Sequence, residues 1–476
     1  MADDIANHAF VSGRWVAGES RFEVRDPFDG ALITSVTDAS DALVDEAVAA
    51  AATTFSAWRA QPGPARGAVL RKMAERMLAE EPALALLCTR ENGKPLAESA
   101  AEVKYAASFL AWFAGEAERG YGETIPSARA DQRMIVTREP VGPVALITPW
   151  NFPYAMLTRK LGAALAAGCT VVAKPPHQTP LGTLAIAKLA DECGLPAGVF
   201  NVVPALDGAR VGGRLAGAKA IRKISFTGST KVGMGLMRNA ADDLKRVSLE
   251  LGGNAPFVVL ADADVAAAVE GALVAKFRNS GQTCVAAQRF ILEAPIADAF
   301  TDAFVGAVAK LKVGRGTDAG VKIGPMIDDA SAKKISRLAR DAVERGARIR
   351  FGAVPDGSTR LVAPLVLDRV TPEMALWREE IFGPIVALRT ASDEADAIAQ
   401  ANDTDAGLVA YVYTRDGSRQ ARLTAALEAG MVGVNEGLVS AAQAPFGGVK
   451  HSGLGREGSR HGVEDYTSLK YACVRV

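Results

Sequence analysis

The sequence is short of cysteine, histidine and net charge, and each shortage narrows what the chain can do. Its five cysteines, Cys88, Cys169, Cys193, Cys284 and Cys473, are odd in number and widely scattered. That argues against a disulfide framework and for reduced thiols in a reducing compartment, so a cytoplasmic location is expected. No CxxC pair is present, and the four histidines, His8, His177, His451 and His461, lack metal-ligand spacing, so no metal site is expected. Lys plus Arg equals Asp plus Glu at 54 each, which leaves no global field for nucleic acid or an anionic membrane. No apolar run is long enough to span a bilayer, and the acidic start Met1-Ala2-Asp3-Asp4 leads into no signal region. A small-molecule partner is what remains.

What the chain does have is material for large cores: 476 residues, 49% hydrophobic, enough for two or more domains. Residues 10–36 alternate and turn at Ser12-Gly13, Gly18 and Asp29-Gly30, which predicts β-hairpins. Helices are predicted over 41–58, with Ser40 as N-cap, over 64–92 and over 96–115. From Arg138 the pattern changes to strands (144–147, 170–173, 199–203, 221–226) alternating with helices (154–167, ended by Gly168, and 184–193). Repeats of this length predict a parallel, doubly wound sheet, whose ligands bind beyond the carboxyl ends of its strands. Asn151, Lys174 and Gly228 all fall at such exits. A second α/β series follows Glu250-Leu251-Gly252-Gly253, with strands at 257–260, 289–292, 365–367, 385–388, 408–413 and 431–434 and a helix over 296–311. Residues 445–458 read as a glycine-rich loop, and 466–471 as an exposed strand whose partner is expected on another subunit.

Three stretches carry chemistry. The apolar helix 265–277 is stopped by Asn279-Ser280-Gly281, which delivers Cys284 where it is presented rather than buried; a packed core thiol would read the same way. Gly228-Ser229-Thr230-Lys231-Val232-Gly233 lies between a strand and a helix, where amides and the helix dipole favour a pyrophosphate. It is neither GxGxxG nor Walker A, and a plain glycine turn explains it as well. Glu250, beside glycines at a domain boundary, suits a general base or a solvated loop charge; Cys284 across the predicted cleft favours the base.

Six segments, Thr148-Pro149-Trp150-Asn151-Phe152-Pro153, Phe226-Thr227-Gly228-Ser229-Thr230, Glu250-Leu251-Gly252-Gly253, Gly281-Gln282-Thr283-Cys284, Glu380-Ile381-Phe382-Gly383-Pro384 and Pro445-Phe446-Gly447-Gly448, together resemble the aldehyde dehydrogenase superfamily over nearly the whole chain. The resemblance implies two doubly wound α/β domains and a small β arm: a Rossmann-like cofactor-binding domain (1–119 and 138–250), a catalytic domain (251–440) and an oligomerisation arm (120–137 and 457–476). Residues 441–456 would be the connecting loop, and the assembly a homodimer or homotetramer. It also implies that Cys284 is the nucleophile, Glu250 the base for thioester hydrolysis and Asn151 an oxyanion donor. For the NAD or NADP cofactor it implies Lys174 and Glu380 at ribose hydroxyls, Ser229 at the pyrophosphate, and Trp150 and Phe382 along the path. Thr148, Pro149, His177, Gly208, Gly228 and Leu251 complete that site.

Within the superfamily, residues 158–170, 277–279 and 435–440 look like succinate-semialdehyde dehydrogenases, in which residues matching Arg159, Arg278 and Ser440 hold the far carboxylate. Glutarate semialdehyde stays open, because a pocket discriminates one methylene by only ~1–3 kcal/mol. Two departures matter. His177 stands where many NAD-preferring relatives carry Glu, and with Lys231 it leans the chain toward NADP or dual use. Ala286 stands where some relatives have a second cysteine, so a disulfide switch at Cys284 is not expected. Thioester hydrolysis or acyl transfer without cofactor, and a catalytically silent binding protein, are the competing readings.

Overall fold

The computed structural model describes residues 6–476; the acidic start at Met1–Asp4 lies outside them. An eight-stranded sheet runs in the order Arg14–Val16, Ala9–Val11, Phe200–Val202, Val171–Lys174, Val144–Ile147, Lys223–Thr227, Arg246–Glu250, Gly453–Leu454. Its five middle strands are parallel. Val144–Ile147 and Val171–Lys174 are buried on both faces, which is why they read as unbroken apolar runs rather than alternating ones. The chain steps outward from Val144–Ile147 to Phe200–Val202, then crosses to Lys223–Thr227 on the other side. That reversal puts a crevice between the ends of Val144–Ile147 and Lys223–Thr227.

A second sheet of seven strands follows, in the order Arg348–Phe351, Leu365–Asp368, Ile385–Ala391, Ala287–Glu293, Ala255–Val259, Val409–Tyr413, Met431–Val434. All but the first are parallel to their neighbours. Its core is aromatic: the Phe257 ring lies 4.9 Å from Phe290 and 5.0 Å from Tyr413. The helix Val265–Phe277 packs so closely on Tyr413 that a Cβ at Gly271 would overlap its hydroxyl.

The predicted helices are present, with their caps: Ser40 accepts from Leu43 N, and Gly168 ends Ala155–Ala167 at φ 95°. The single helix expected over 64–92 is instead two, Gly63–Ala79 and Glu81–Asn92. Pro82 has no amide to continue the ladder and begins a new helix instead. The terminal strand Thr467–Arg475 pairs along its whole length with Gln132–Pro140, which also pairs with Glu123–Ile125. One edge of the terminal strand thus finds its partner within the chain, not on another subunit. Residues 441–456 are more than a loop: Val449–Lys450 pairs with Ala406–Gly407, and Gly453–Leu454 extends the first sheet. Among the described residues no helix is long and apolar enough to cross a membrane, and all five cysteines are free.

Candidate active site

The segment before Cys284 is a strained turn held by side chains from elsewhere. Asn279, Ser280 and Gly281 have φ of 50°, 58° and 78°, a left-handed run that costs about 1–3 kcal/mol at each non-glycine residue and needs outside support. Asn279 N donates to Glu98 (2.6 Å) and Asn279 Nδ2 to the Asn151 carbonyl (3.0 Å). Ser280 Oγ donates to Gly324 O and accepts from Gly324 N. Gln282 bridges to Pro325 O and Ile327 N. At Gly281 a Cβ would lie 2.4 Å from Gly383 O, so only glycine fits. Cys284 emerges half-buried on the cleft. Burial pushes its thiol up to about 12, against the pull of Arg159 and Arg278.

That cleft, of about 240 Å³, opens at the reversal point of the first sheet. Pro149, Trp150 and Asn151 line one side, Thr227, Gly228 and Ser229 the next, and Leu251, Glu380 and Phe382 the far wall, with Cys284 at its base. Thr148 is buried at the exit of the Val144–Ile147 strand. Trp150 and Phe382 meet edge to face, 5.5 Å apart. Glu380 is fixed by Gly253 N (3.0 Å) and by Lys334, which bonds its carbonyl. Ser229 caps the helix Thr230–Ala241 without using its hydroxyl on the helix amides. Lys174 is buried, and among the described residues its amine has no hydrogen-bond partner; burial lowers its pKa to about 8, with Asp207 opposing. A Cβ at Gly208 would sit 3.0 Å from Lys174 Nζ. His177 is half-buried nearby, its pKa lowered by burial and by Lys174.

Behind Cys284 lies a buried charge cluster. Glu250 ends its strand with both carboxylate oxygens unpartnered. Burial, reinforced by Glu457, pushes its pKa well above the carboxylate range against the pull of Arg159 and Lys160. Arg159 is paired with Glu457 and lies over Phe446 at 4.1 Å, yet its Nη1 has no partner. Arg278 lies over Phe152 with its Nε buried and unpartnered. Burial raises the pKa of the Tyr105 hydroxyl, against the pull of Arg159, Arg278 and Ser440 around it. Sequence reasoning missed Tyr105, Thr227, Ser331, Lys334 and Glu457. The expected arm held Glu457, whose ion pairs instead join it to the Ala155–Ala167 helix; a residue 297 positions from its partner leaves no local signal.

Residues 15–472 match the aldehyde dehydrogenase family. The chain belongs to that family. This aldehyde dehydrogenase is 49% identical over 469 residues to the NADP(+) succinate-semialdehyde dehydrogenase of Escherichia coli, covering 98% of this chain and 97% of the relative. It is 48% identical over 471 residues to a glutarate-semialdehyde dehydrogenase of Pseudomonas putida, covering 98% of each. It also superposes on the crystal structure of an E. coli NADP-dependent enzyme with a TM-score of 0.97 at 48% identity, covering 99% of this chain and 98% of that one. As an aldehyde dehydrogenase, the chain is an enzyme that oxidises an aldehyde with a nicotinamide cofactor.

Proposed function

We propose that this enzyme oxidises a short aldehyde with a far carboxylate, succinate semialdehyde to succinate, with glutarate semialdehyde as the competing substrate and NADP preferred over NAD. The observation that carries the substrate class is the pair of arginines beside Cys284, Arg159 buried and Arg278 half-buried with its Nε buried, each with an unspent N–H. A buried donor left unmade is costly, and a carboxylate is the group that satisfies it bidentately. Both chain lengths occur among the relatives' names.

In this reading the Cys284 thiol gives its proton to solvent and the thiolate Sγ attacks the aldehyde carbon, the carbonyl π pair moving onto oxygen as the C–S bond forms. The thiohemiacetal oxyanion meets the Asn151 amide and the Cys284 backbone N–H, each donor worth about 3 kcal/mol. The nicotinamide, when bound, supplies the hydride acceptor. Glu250 then takes a proton from the water that hydrolyses the resulting thioester, and the carboxylate leaves. The cleft fits the cofactor: Lys174 Nζ is unspent, and Gly208 and Gly252 keep open the space beside Lys174 and Glu380 that a Cβ would crowd. Lys174 and Glu380 would hold hydroxyls, Ser229 and the first amides of its helix the pyrophosphate, and Trp150, Phe382 and Leu251 the flanks.

His177 supports NADP: lowered in pKa beside Lys174, it is neutral near pH 7 and sets no negative charge against a 2′-phosphate. His177→Glu is expected to reduce kcat/KM for NADP by about tenfold or more through like-charge repulsion, and to spare NAD; unchanged NADP kinetics would refute this assignment. Arg159→Leu tests the clamp. It should lower kcat/KM for succinate semialdehyde by about 10–100-fold more than for an uncharged aldehyde of equal length, the worth of a charge-assisted hydrogen bond; the uncharged aldehyde bears only the loss that comes through Glu457 and Glu250. Equal loss on both substrates counts against the clamp. We further propose a homodimer or dimer of dimers in the cytoplasm, on the free edge of Thr467–Arg475, its exposed Leu469 and Tyr471, and the unpaired thiols.

A further inference from the structure

The corner between the helices Glu81–Asn92 and Leu96–Glu118 contains Glu91-Asn92-Gly93-Lys94, whose three polar side chains are at most 1% exposed. Burying a carboxylate, an amide and an ammonium in succession is expensive unless each charge is met. Glu91 accepts from Leu181 N and Gly182 N, each at 2.8 Å, whereas Asn92 and Lys94 are met at the backbone of the candidate site. Asn92 Nδ2 donates to Trp150 O at 3.0 Å, and Lys94 Nζ donates to Asn151 O at 2.6 Å and pairs with the Glu102 carboxylate. Glu102 in turn accepts from Tyr154 N (2.9 Å) and Ala155 N (3.3 Å), the start of the helix that carries Arg159. The Asn151 carbonyl receives its second bond from Asn279 Nδ2, in the turn that delivers Cys284, and the Asn151 amide itself donates to Gln282 O at 3.1 Å.

We propose that Lys94 is the positioning residue of the oxyanion site: by holding the Asn151 carbonyl it fixes the angle at which the Asn151 amide faces Cys284. This rests on the reading of Asn151 as an oxyanion donor. Lys94 touches neither substrate nor cofactor cleft; its ammonium lies 3.9 Å over the Phe152 ring, on the protein side of the loop. The Asn92 and Lys94 bonds grip successive carbonyls, so the loop cannot turn about one without breaking the other. A donor displaced by about 1 Å costs on the order of 100-fold in rate, and because the oxyanion forms only during reaction, the loss falls on kcat and not on KM.

The test is a double-mutant cycle in a Glu102→Gln background, in which Lys94→Met strands no buried carboxylate; because that background leaves the Lys94 ammonium without its counter-ion, every rate is referred to the Glu102→Gln protein. The readout is the first-turnover rate of NADPH formation with succinate semialdehyde, alongside KM, NADP affinity and Tm. Adding Lys94→Met is expected to slow the first turnover by about 10–100-fold, with KM and NADP affinity within about twofold. In protein that also carries Asn151→Ala, the same Lys94→Met step should cost less than about threefold, because the group it positions is gone. An undiminished loss in the Asn151→Ala protein would overturn the proposal and leave Lys94 a purely structural residue. An Asn151→Ala protein as fast as its parent would overturn the oxyanion reading itself, which is a different signature. If Lys94→Met does not fold, Lys94→Gln in the same background, which keeps a hydrogen-bonding side chain without the charge, is carried through the same cycle: a loss that shrinks in the Asn151→Ala protein supports the positioning role, and an undiminished loss overturns it.

Discussion

Cys284→Ala is expected to lower aldehyde oxidation by at least ~10⁴-fold, while NADP binding and Tm stay near those of the parent protein. No other thiol can substitute: Cys88 and Cys169 are buried, and Cys193 and Cys473 line no part of the cleft. Removing one sulfur from a half-buried position disturbs little, because the turn that presents it is held by Glu98, Asn151, Gly324 and Pro325 and not by Cys284. The measurement is NADPH formation beside a nucleotide-binding titration. Retained turnover would remove Cys284 from the chemistry, and lost nucleotide binding would mean that the substitution had damaged the cleft. The same thiol, held high by burial, should be alkylated by iodoacetamide faster as pH rises from neutral to alkaline, since only the thiolate reacts.

Glu250→Gln should lower steady-state turnover by about 10²–10⁴-fold, the usual worth of a general base, yet leave one rapid burst of NADPH per active site. The burst distinguishes the role: attack by Cys284 precedes the step that needs Glu250, so the acyl group stays on the sulfur and adds its mass to the intact protein. The sign of the pH dependence follows from the raised pKa. A carboxyl held above its ordinary value is protonated and idle on the acid side, and becomes a base as pH climbs through that raised value. Parent turnover should therefore rise from neutral toward alkaline pH, and the limb belonging to deacylation should flatten in Glu250→Gln. A variant that loses the burst along with turnover would place Glu250 in the first half of the reaction.

Much of the fold is legible in the sequence because its signals are local. Continuous apolar runs mark the buried parallel strands, Ser40 and Gly168 mark helix ends, and the strand exits at Asn151, Lys174 and Gly228 follow from βαβ order alone. Pro149, Trp150, Asn151, Gly228, Ser229, Leu251, Glu380 and Phe382 line one cleft with Cys284, while Lys174, His177, Gly208 and Glu250 are not among its lining. What stays hidden depends on contacts between distant segments. Pro82 sits in an apolar pattern that continues across it, although it starts a new helix. The terminal strand looks unpartnered because Gln132–Pro140 lies more than 300 residues earlier. Glu457 follows a glycine-rich stretch with no periodicity, and only the folded chain brings it to Arg159 and Lys160. Lys94 lies in the short corner between two helices and Glu102 in ordinary helical sequence, and nothing in their spacing announces burial.

The arginine pair is the feature most changed by the fold. In the sequence, Arg159 and Arg278 could each be a helix-surface charge; in the structure Arg159 is buried, Arg278 has a buried and unpartnered Nε, and both act on the sulfur. Arg159 also divides its N–H groups between Glu457 and open donors, so the clamp shares a residue with the cluster that governs Glu250.

Whether the Cys284 cleft oxidises a carboxylate-bearing aldehyde is tested most directly by absorbance at 340 nm with purified protein, succinate semialdehyde and either NADP or NAD. A steady rise is expected when aldehyde and nicotinamide are both present, faster with NADP, and none when either is omitted. No rise with either nicotinamide, while a succinyl thioester is hydrolysed by the cofactor-free protein, would instead make Cys284 and Glu250 the machinery of a hydrolase.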